Sequence, residues 1–281
     1  MDASELYDPE FRELIKRAHD LGTPPTVIIP IGSLEQHGAH LPITTDSDIV
    51  TEVASRLAKK CGFIVFPTVS YGVSYEHDPL FNTSLPPEHF VELLQNIIFG
   101  LMENSLTSVI ILNGHHGNEL NLEKLDSIFN DPALAVAAAA KEAREASKVV
   151  KEHVLQATQR EASRAWLDTA SAAEIISRIR LQICHYWKYM KHEFDHAGFV
   201  EPSIMMAISD KGKMKKAKKG FTTEGLSKKE IQRIKKLSTQ ERGFPKVAKN
   251  GVWGDPTKAT KKDGEKFLAE IVRNLAKECQ S

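Results

Sequence analysis

Histidine and carboxylate side chains occur together at two points of the sequence, each directly after a short apolar run. Glu35 and His37 follow the run that ends at Ile31, and His115 follows the run that ends at Leu112. Carboxylates and imidazoles are the ligands that Zn²⁺, Fe²⁺ and Mn²⁺ take in proteins, and catalytic sites combine them with positions left for water. The two segments therefore predict a divalent metal site.

Asp46 is a further candidate ligand, in a Thr-Thr-Asp-Ser run ahead of a predicted helix. It reaches the same ion if the intervening loop folds back, whereas Asp46 and Asp48 could instead serve only as helix caps. In an extended loop, residues two apart point to the same side. Glu35 and His37 could therefore bind one ion or two adjacent ions.

A third polar group precedes the apolar run 204–208 and contains Asp195, His196 and Glu201. His196 is the predicted general acid and base, because an imidazole has an unperturbed pKa of about 6.5. Asp195 or another acceptor would hold its ring, and Glu201 is a candidate ligand. The alternative for this segment is a helix cap with a satisfied histidine.

The elements that must position these residues alternate between strand and helix. Apolar, largely β-branched runs at 27–31, 63–66 and 109–112 predict buried strands, and helical patterns lie between them at 49–60 and 87–104. This order predicts a three-layer α/β/α sandwich with a mainly parallel central sheet. Ligands of such sheets bind at the carboxyl ends of the strands, which is where the polar groups lie.

The sequence predicts a single α/β domain over residues 1–281, with an Ala-rich helical insertion at about 133–190. Residues 133–183 are rich in Ala, Glu, Lys and Arg and contain no Gly or Pro, which is typical of long helices. They could line an oligomer interface or form a lid. Six lysines lie within 211–220, either as a solvated face or as a polyanion site.

Composition excludes several classes of protein. The 281 residues carry 37 basic and 37 acidic side chains, so there is no general attraction to nucleic acid or to anionic membranes. Three widely spaced cysteines form no disulfide framework, which favours a reducing compartment. Since no stretch reaches about 18 apolar residues, we expect a cytoplasmic protein with neither a nucleic-acid nor a membrane partner.

Several of these segments together resemble the creatininase family of metal-dependent amidohydrolases. The resemblance runs from about residue 25 to 270 and rests on residues 31–42 (IGSLEQHGAHLP), Thr45-Asp46, Asn113-Gly114-His115, His196-Ala197-Gly198 with Glu201, and residues 251–256 (GVWGDP). It implies the three-layer sandwich, a homo-oligomer that is often a hexamer, and one or two divalent ions, Zn²⁺, Mn²⁺ or Fe²⁺.

The resemblance also implies residue roles. Glu35 and His115 would bind one ion, His37 the second, and Asp46 would bridge the two. Creatininase completes its second site with a glutamate where this chain has Gly117, and Glu201 is the expected substitute. The segment 71–77 resembles the substrate-side loop of the family, so the expected substrate contacts are Ser74, His77 and His116.

The predicted activity is hydrolysis of a non-peptide C–N bond, a cyclic amide or a formamide, in a small molecule. A divalent ion lowers the pKa of bound water to about 7 and polarises the carbonyl that is attacked. Three substrates are possible within the family. A formamido-pyrimidine ribonucleotide could bind its phosphate through Lys211–Lys219, and a modified peptide would require an open groove. Creatinine would require a tryptophan at the position of His192, and Trp187 lies too far from that position in the sequence to replace it. Two alternatives lie outside amide hydrolysis: metal-dependent ring opening or isomerisation of a sugar-like ketone, and a non-catalytic assembly or nucleic-acid-binding protein.

Overall fold

The computed structural model describes residues 1–130, 179–193 and 195–280. Within these ranges the strands are β1 (Thr26–Ile31), β2 (Ile64–Val65), β3 (Ser108–Asn113) and β4 (Arg180–His185). The helices are α1 (Asp8–Asp20), α2 (Thr45–Cys61), α3 (Pro87–Glu103), α4 (Glu119–Asn130), α5 (Val200–Ile208), α6 (Lys228–Ser238), α7 (Phe244–Val247) and α8 (Lys261–Cys279). None of the helices in these ranges combines the length and the apolar character that crossing a bilayer requires.

The four strands form one parallel sheet in the order β2-β1-β3-β4. β1 pairs with β3 along its whole length, and Ile31 lies opposite Asn113 at the carboxyl end. The chain passes from β1 to β2 and then returns to the other side of β1 as β3. The space between β1 and β3 is therefore a topological switch point, the position at which open α/β sheets bind ligands.

Helices cover both faces of this sheet. Ile28 and Ile110 belong to one hydrophobic core together with side chains of α2, α5 and α8. Val27 and Val109 belong to a second core with side chains of α1, α3 and α4. Because successive strand residues point to opposite faces, the continuous apolar runs of β1 and β3 fill both cores. The predicted three-layer α/β/α architecture with a parallel sheet is confirmed.

The exit of β3 packs tightly against the beginning of α2. A Cβ atom at Gly114 would lie 2.8 Å from both the carbonyl oxygen of Asp46 and the Cβ of Val50. A glycine is therefore required for this close approach. The approach places the polar segment after β3 beside the first turn of α2, which contains Asp46.

The structure corrects the predicted extent of the helical insertion. Residues 180–185 form β4, which pairs with β3 from Ser108↔Arg180 to Asn113↔His185, although helix was expected to about residue 190. The periodicity of a short apolar run does not show whether the run is a strand or a buried helical segment. Here the pairing with β3 identifies residues 180–185 as a strand. The rest of the predicted insertion, residues 131–178, lies outside the described residues.

Candidate metal centre

Five buried side chains meet outside the carboxyl ends of β1 and β3. They are Glu35 and His37 after β1, Asp46 in the first turn of α2, His115 after β3, and Glu201 in the first turn of α5. Each is at most 4% exposed. The structure thus brings together the residues that the sequence pattern and the family resemblance singled out as ligands.

Asp46 lies between the two histidines. Its Oδ1 is 3.1 Å from Nε2 of His37, and its Oδ2 is 3.1 Å from Nδ1 of His115. Glu35 and Glu201 each add a carboxylate beside one of these histidines. Glu35 Oε2 is 3.1 Å from His115 Nδ1, and Glu201 Oε2 is 3.6 Å from His37 Nε2. The arrangement therefore contains two donor sets that share Asp46.

These distances suit ligands of a common ion. Two donors that are each about 2.1 Å from an ion, at angles of about 90–110°, lie about 3.0–3.4 Å apart. The donor atoms of Glu35, Asp46 and His115 lie within 4.8 Å of one another, as do those of His37, Asp46 and Glu201. Each set supplies oxygen and imidazole nitrogen, the mixture that Zn²⁺, Mn²⁺ and Fe²⁺ accept.

Unsatisfied carboxylate oxygens point to the same conclusion. Both carboxylate oxygens of Glu35 and Oδ2 of Asp46 are buried and accept no hydrogen bond from the described residues. A buried carboxylate is costly unless it is paired with a cation or hydrogen-bonded. The nearby imidazole nitrogens do not satisfy these oxygens by hydrogen bonding, so the residues present fit a divalent cation.

The imidazole tautomers are compatible with metal binding. The distance of 3.0 Å from His115 Nε2 to the carbonyl oxygen of Val73 assigns the ring proton to Nε2. Likewise, His37 Nδ1 lies 3.1 Å from the carbonyl oxygen of Glu35 and donates to it. In both rings the nitrogen that faces the carboxylates is then free to bind an ion, and a backbone carbonyl fixes the ring orientation.

Strong electrostatic coupling accompanies this geometry. Burial opposes protonation of His115, but Glu35 and Asp46 outweigh it and raise the pKa of His115 well above its usual range. Burial would also raise the pKa of Glu35, yet the imidazoles of His115 and His77 hold that pKa well below its ordinary value. The pKa of His37 is likewise raised despite burial, by Asp46 and Glu201. The carboxylates of the centre therefore strongly favour positive charge among them.

His196 lies beside the centre, but Asp195 does not hold its ring. Its Nδ1 is 3.7 Å from Glu35 Oε1, and its Nε2–H donates to the carbonyl oxygen of Gln36 at 3.0 Å. Burial, with the neighbouring His37 and His77, lowers the pKa of His196 well below its usual value. This shift favours the neutral imidazole, and the hydrogen bond from Nε2–H leaves Nδ1 as the ring nitrogen without a proton.

Asp195 instead accepts hydrogen bonds from the backbone N–H groups of Phe199 and Val200 at the start of α5. The predicted role of Asp195 in orienting His196 is corrected: the residue caps a helix, and Gln36 holds the imidazole. Burial raises the pKa of the Asp195 carboxyl to about 7.

A cavity of about 420 Å³ opens over these residues, a size that suits a small-molecule ligand. Besides the centre, its walls contain His77, His116, Asp195 and His196 from the predicted set, and the further residues Glu76, Trp187, Glu193, Lys235, Phe244 and Trp253. His77 Nε2 is also 3.1 Å from Glu35 Oε1. Two of the three predicted substrate contacts, His77 and His116, therefore face the cavity.

Ser74 is the exception among the predicted substrate contacts. It is fully buried, and its Oγ lies 2.9 Å from Oγ of Ser33, outside the cavity wall. The backbone N–H of Ser74 also donates to Ser84 Oγ at 2.9 Å. The hydroxyl of Ser74 therefore holds the loop in place in this structure, and its expected substrate contact stays a prediction.

The aromatic wall of the cavity was not predicted from the sequence. Trp187, considered too distant to take part, lies in the wall and stacks on His116 with ring centroids 4.1 Å apart. His192 instead packs against Phe199 and Phe267. Trp187 lies two residues after the end of β4. Prediction of this strand from the sequence would therefore have placed Trp187 at the carboxyl edge of the sheet.

The lysine-rich segment 211–219 does not contribute to the cavity wall. Lys211 pairs with Asp48 at 3.0 Å, and Lys219 lies 3.7 Å from Glu224. The lysine that does line the cavity is Lys235 of α6, which forms an ion pair with Glu193. The structure therefore places Lys211–Lys219 outside this cavity, and phosphate binding by that segment stays a prediction.

Comparison with known proteins gives the same assignment along almost the whole chain. The family model Creatininase, described as creatinine amidohydrolase, matches residues 4–279. The mycofactocin precursor peptide peptidase of Mycolicibacterium smegmatis is 28% identical over 261 residues, which cover 90% of this chain and 83% of that protein.

Two other relatives extend the comparison. The 2-amino-5-formylamino-6-ribosylaminopyrimidin-4(3H)-one 5'-monophosphate deformylase of Methanosphaera stadtmanae is 36% identical over 127 residues, 44% of this chain and 52% of that protein. A solved structure titled "Creatininase Mn" superposes with a TM-score of 0.65 at 17% identity, covering 99% of this chain and 96% of that one. This last similarity shows a shared fold.

Proposed function

Because the chain belongs to the creatininase family, and is therefore a hydrolase, we propose that it cleaves a non-peptide C–N bond of a small molecule at a centre of one or two divalent ions. The bond proposed is that of a cyclic amide or a formamide. One observation carries the proposal: two buried donor sets share Asp46 at the floor of a cavity of about 420 Å³. This arrangement suits a water and a substrate carbonyl side by side.

The residues have distinct roles in this proposal. Glu35 and His115 would hold one ion, His37 and Glu201 the other, and Asp46 both. A bound ion supplies a Lewis acid for the carbonyl and lowers the pKa of water to about 7. Neutral His196 then accepts a proton from the attacking water and returns it to the leaving amine.

The aromatic wall suits a substrate with a planar group next to the amide. Trp187 and Trp253 line the cavity with Phe244, and aromatic faces bind flat ligands through stacking and burial of apolar surface. A cyclic amide and a formamide on a heterocycle share that shape. Zn²⁺, Mn²⁺ and Fe²⁺ all accept these donors, so each of the three is a candidate ion.

A phosphate-bearing formamide is the second candidate substrate. The deformylase relative acts on a monophosphate according to its name. Lys235 is the basic side chain that lines this cavity, and its ion pair with Glu193 is solvent-exposed, so an anionic group could displace the glutamate at little cost. Competition by inorganic phosphate, weakened by Lys235→Gln, would favour this candidate over an uncharged amide.

The test is elemental analysis of anaerobically purified protein, followed by a hydrolysis screen over small lactams, formamides and ureides. We expect one or two divalent ions per chain and turnover of at least one of these classes. Asp46→Asn should lose both. The matched control is Asp48→Asn, because Asp48 lies in the same turn of α2 but contacts Thr44 and Lys211.

Asp48→Asn should retain both the ions and the activity. A protein purified without divalent ions that also fails to bind added ions would refute the proposal. Full activity in Asp46→Asn would refute it as well.

A further inference from the structure

Glu76 is a cavity residue to which the proposed reaction gives no role. It lies in the 3₁₀ turn Tyr75–His77, lines the same cavity as the metal centre, and its side chain is 12% exposed. Its Oε1 is 3.4 Å from Nε2 of His115 and 3.9 Å from Nε2 of His77. The carboxylate therefore faces the edge of the His115 ring that is turned away from Asp46.

The local backbone leaves room for this carboxylate. A Cβ atom at Gly117 would lie 2.5 Å from Glu76 Oε1 and 2.4 Å from His115 Nε2. Any side chain at position 117 would therefore displace either the carboxylate or the imidazole. In this chain, Glu76 occupies the space beside His115 that a side chain at residue 117 would take.

The turn that bears Glu76 is held from both sides. The backbone N–H of Val73 donates to Oδ1 of Asn118 at 2.9 Å, and the Val73 carbonyl accepts from His115 Nε2. On the other side, the backbone N–H of Arg242 donates to the carbonyl oxygen of Tyr75 at 3.0 Å. The position of Glu76 over the imidazole is thus fixed by neighbouring elements.

We propose that Glu76 is a positioning residue that sets the orientation and basicity of His115 as a metal ligand. The proposal rests on the proposed function, since it requires an ion at Nδ1 of His115. The Nε2–H group already donates to Val73, and the negative charge of Glu76 beside it strengthens electron donation from the opposite nitrogen. Outer partners of this kind typically change metal affinity by about 10–100-fold when they are removed.

The experiment measures Zn²⁺ affinity of chelator-treated full-length protein by competition with a chromophoric chelator. Glu76→Gln keeps the size of the side chain and removes its charge, so we expect Zn²⁺ binding weakened by about 10–100-fold. Glu76→Asp keeps the carboxylate and should recover part of the loss. The matched control is Glu193→Gln, which removes a charge from the same cavity wall at a residue paired with Lys235.

Glu193→Gln should change the affinity by less than about threefold, and the melting temperature of metal-free Glu76→Gln should equal that of the metal-free parent. Equal affinity in Glu76→Gln and the parent would overturn the inference and leave the proposed function intact. If Glu76→Gln bound one ion fewer per chain than the parent, Glu76 would itself be a ligand, and the inference would be overturned as well. A parent protein that binds no Zn²⁺ would overturn the proposed function as well.

Discussion

At the scale of single residues, neighbours decide which of several similar groups does chemistry. Asp46 and Asp48 lie two positions apart in one helical turn, yet Asp46 faces two imidazoles and Asp48 pairs with Lys211. Asp195 and His196 are adjacent in sequence, yet the carboxylate caps α5 while the imidazole faces Glu35. Residue type alone therefore overstates the number of catalytic groups.

His196 and Asp195 should consequently respond differently to substitution. His196→Ala should leave the metal content unchanged and lower turnover by about 10²–10⁴-fold, the usual contribution of a general acid–base residue. Phe199 and Val200 donate to different oxygens of Asp195, so Asp195→Asn keeps an acceptor for only one of these N–H groups. It should therefore lower stability, whereas turnover should fall only a few-fold because Asp195 does not contact the His196 ring. Steady-state kinetics with elemental analysis of both variants checks this, and unchanged turnover in His196→Ala would remove its proposed role.

Trp187 should matter for substrate binding. Trp187→Leu removes the ring that stacks on His116 in the cavity wall, so KM should rise by about 10-fold, consistent with the 0.5–1.5 kcal/mol of an aromatic contact plus lost burial. Metal content should not change. His192→Ala, at a residue that packs away from the cavity, is the control, and a larger KM change in that variant would contradict the assignment.

At the scale of elements, the centre depends on how closely the strand exits approach α2. β1 and β3 bring Glu35, His37 and His115 to one edge of the sheet, because Ile31 and Asn113 are paired in the ladder. The first turn of α2 then contributes Asp46, and the first turn of α5 contributes Glu201. Four separate elements must therefore keep their relative positions to within about 0.5 Å for the centre to form.

Gly114→Ala should disturb these positions. Its new methyl group would lie 2.8 Å from atoms of Asp46 and Val50, so α2 must shift, at a cost of about 1–3 kcal/mol in the free energy of unfolding. Metal affinity should fall too. Gly100→Ala in α3 is the control: a Cβ there meets no atom within 4 Å, so stability should rise by about 0.5–1 kcal/mol. Denaturant unfolding compares them, and equal effects would contradict the packing argument.

At the scale of the whole molecule, a metal ion would connect both halves of the described chain. In the second donor set, His37 and Asp46 lie nine residues apart, whereas Glu201 of α5 comes from a distant part of the chain. An ion bound to the folded chain alone stabilises it by mass action. The homo-oligomer stays a prediction, and size-exclusion chromatography with light scattering would measure the number of subunits.

Removal of the ion should therefore lower thermal stability. At a free-ion concentration of about 100 times Kd, binding adds about 2.7 kcal/mol to the free energy of unfolding, which corresponds to a rise in Tm of about 5 °C. Differential scanning calorimetry before and after chelation, and again after Zn²⁺ or Mn²⁺ is restored, measures the change. Asp46→Asn should show no response to either ion, whereas a response equal to that of the parent would exclude this site.

The sequence by itself determined the alternation of strands and helices and the residues able to bind an ion. Both are local properties: apolar runs define the buried strands, and Glu35, His37 and His115 follow their ends directly. Asp46 and Glu201 were further candidates on the same local grounds, and the motif resemblance assigned them their roles. These features could be read without coordinates because each depends on neighbours in the chain or on a contiguous motif.

Only the tertiary structure decided which of these residues meet and which others join them. The placement of β3 beside β1, the strand over residues 180–185, the stacking of Trp187 and the contact of Glu76 with His115 all depend on packing between distant segments. Periodicity describes one element at a time. It carries no information on the order of strands in a sheet or on the side chains that another element supplies.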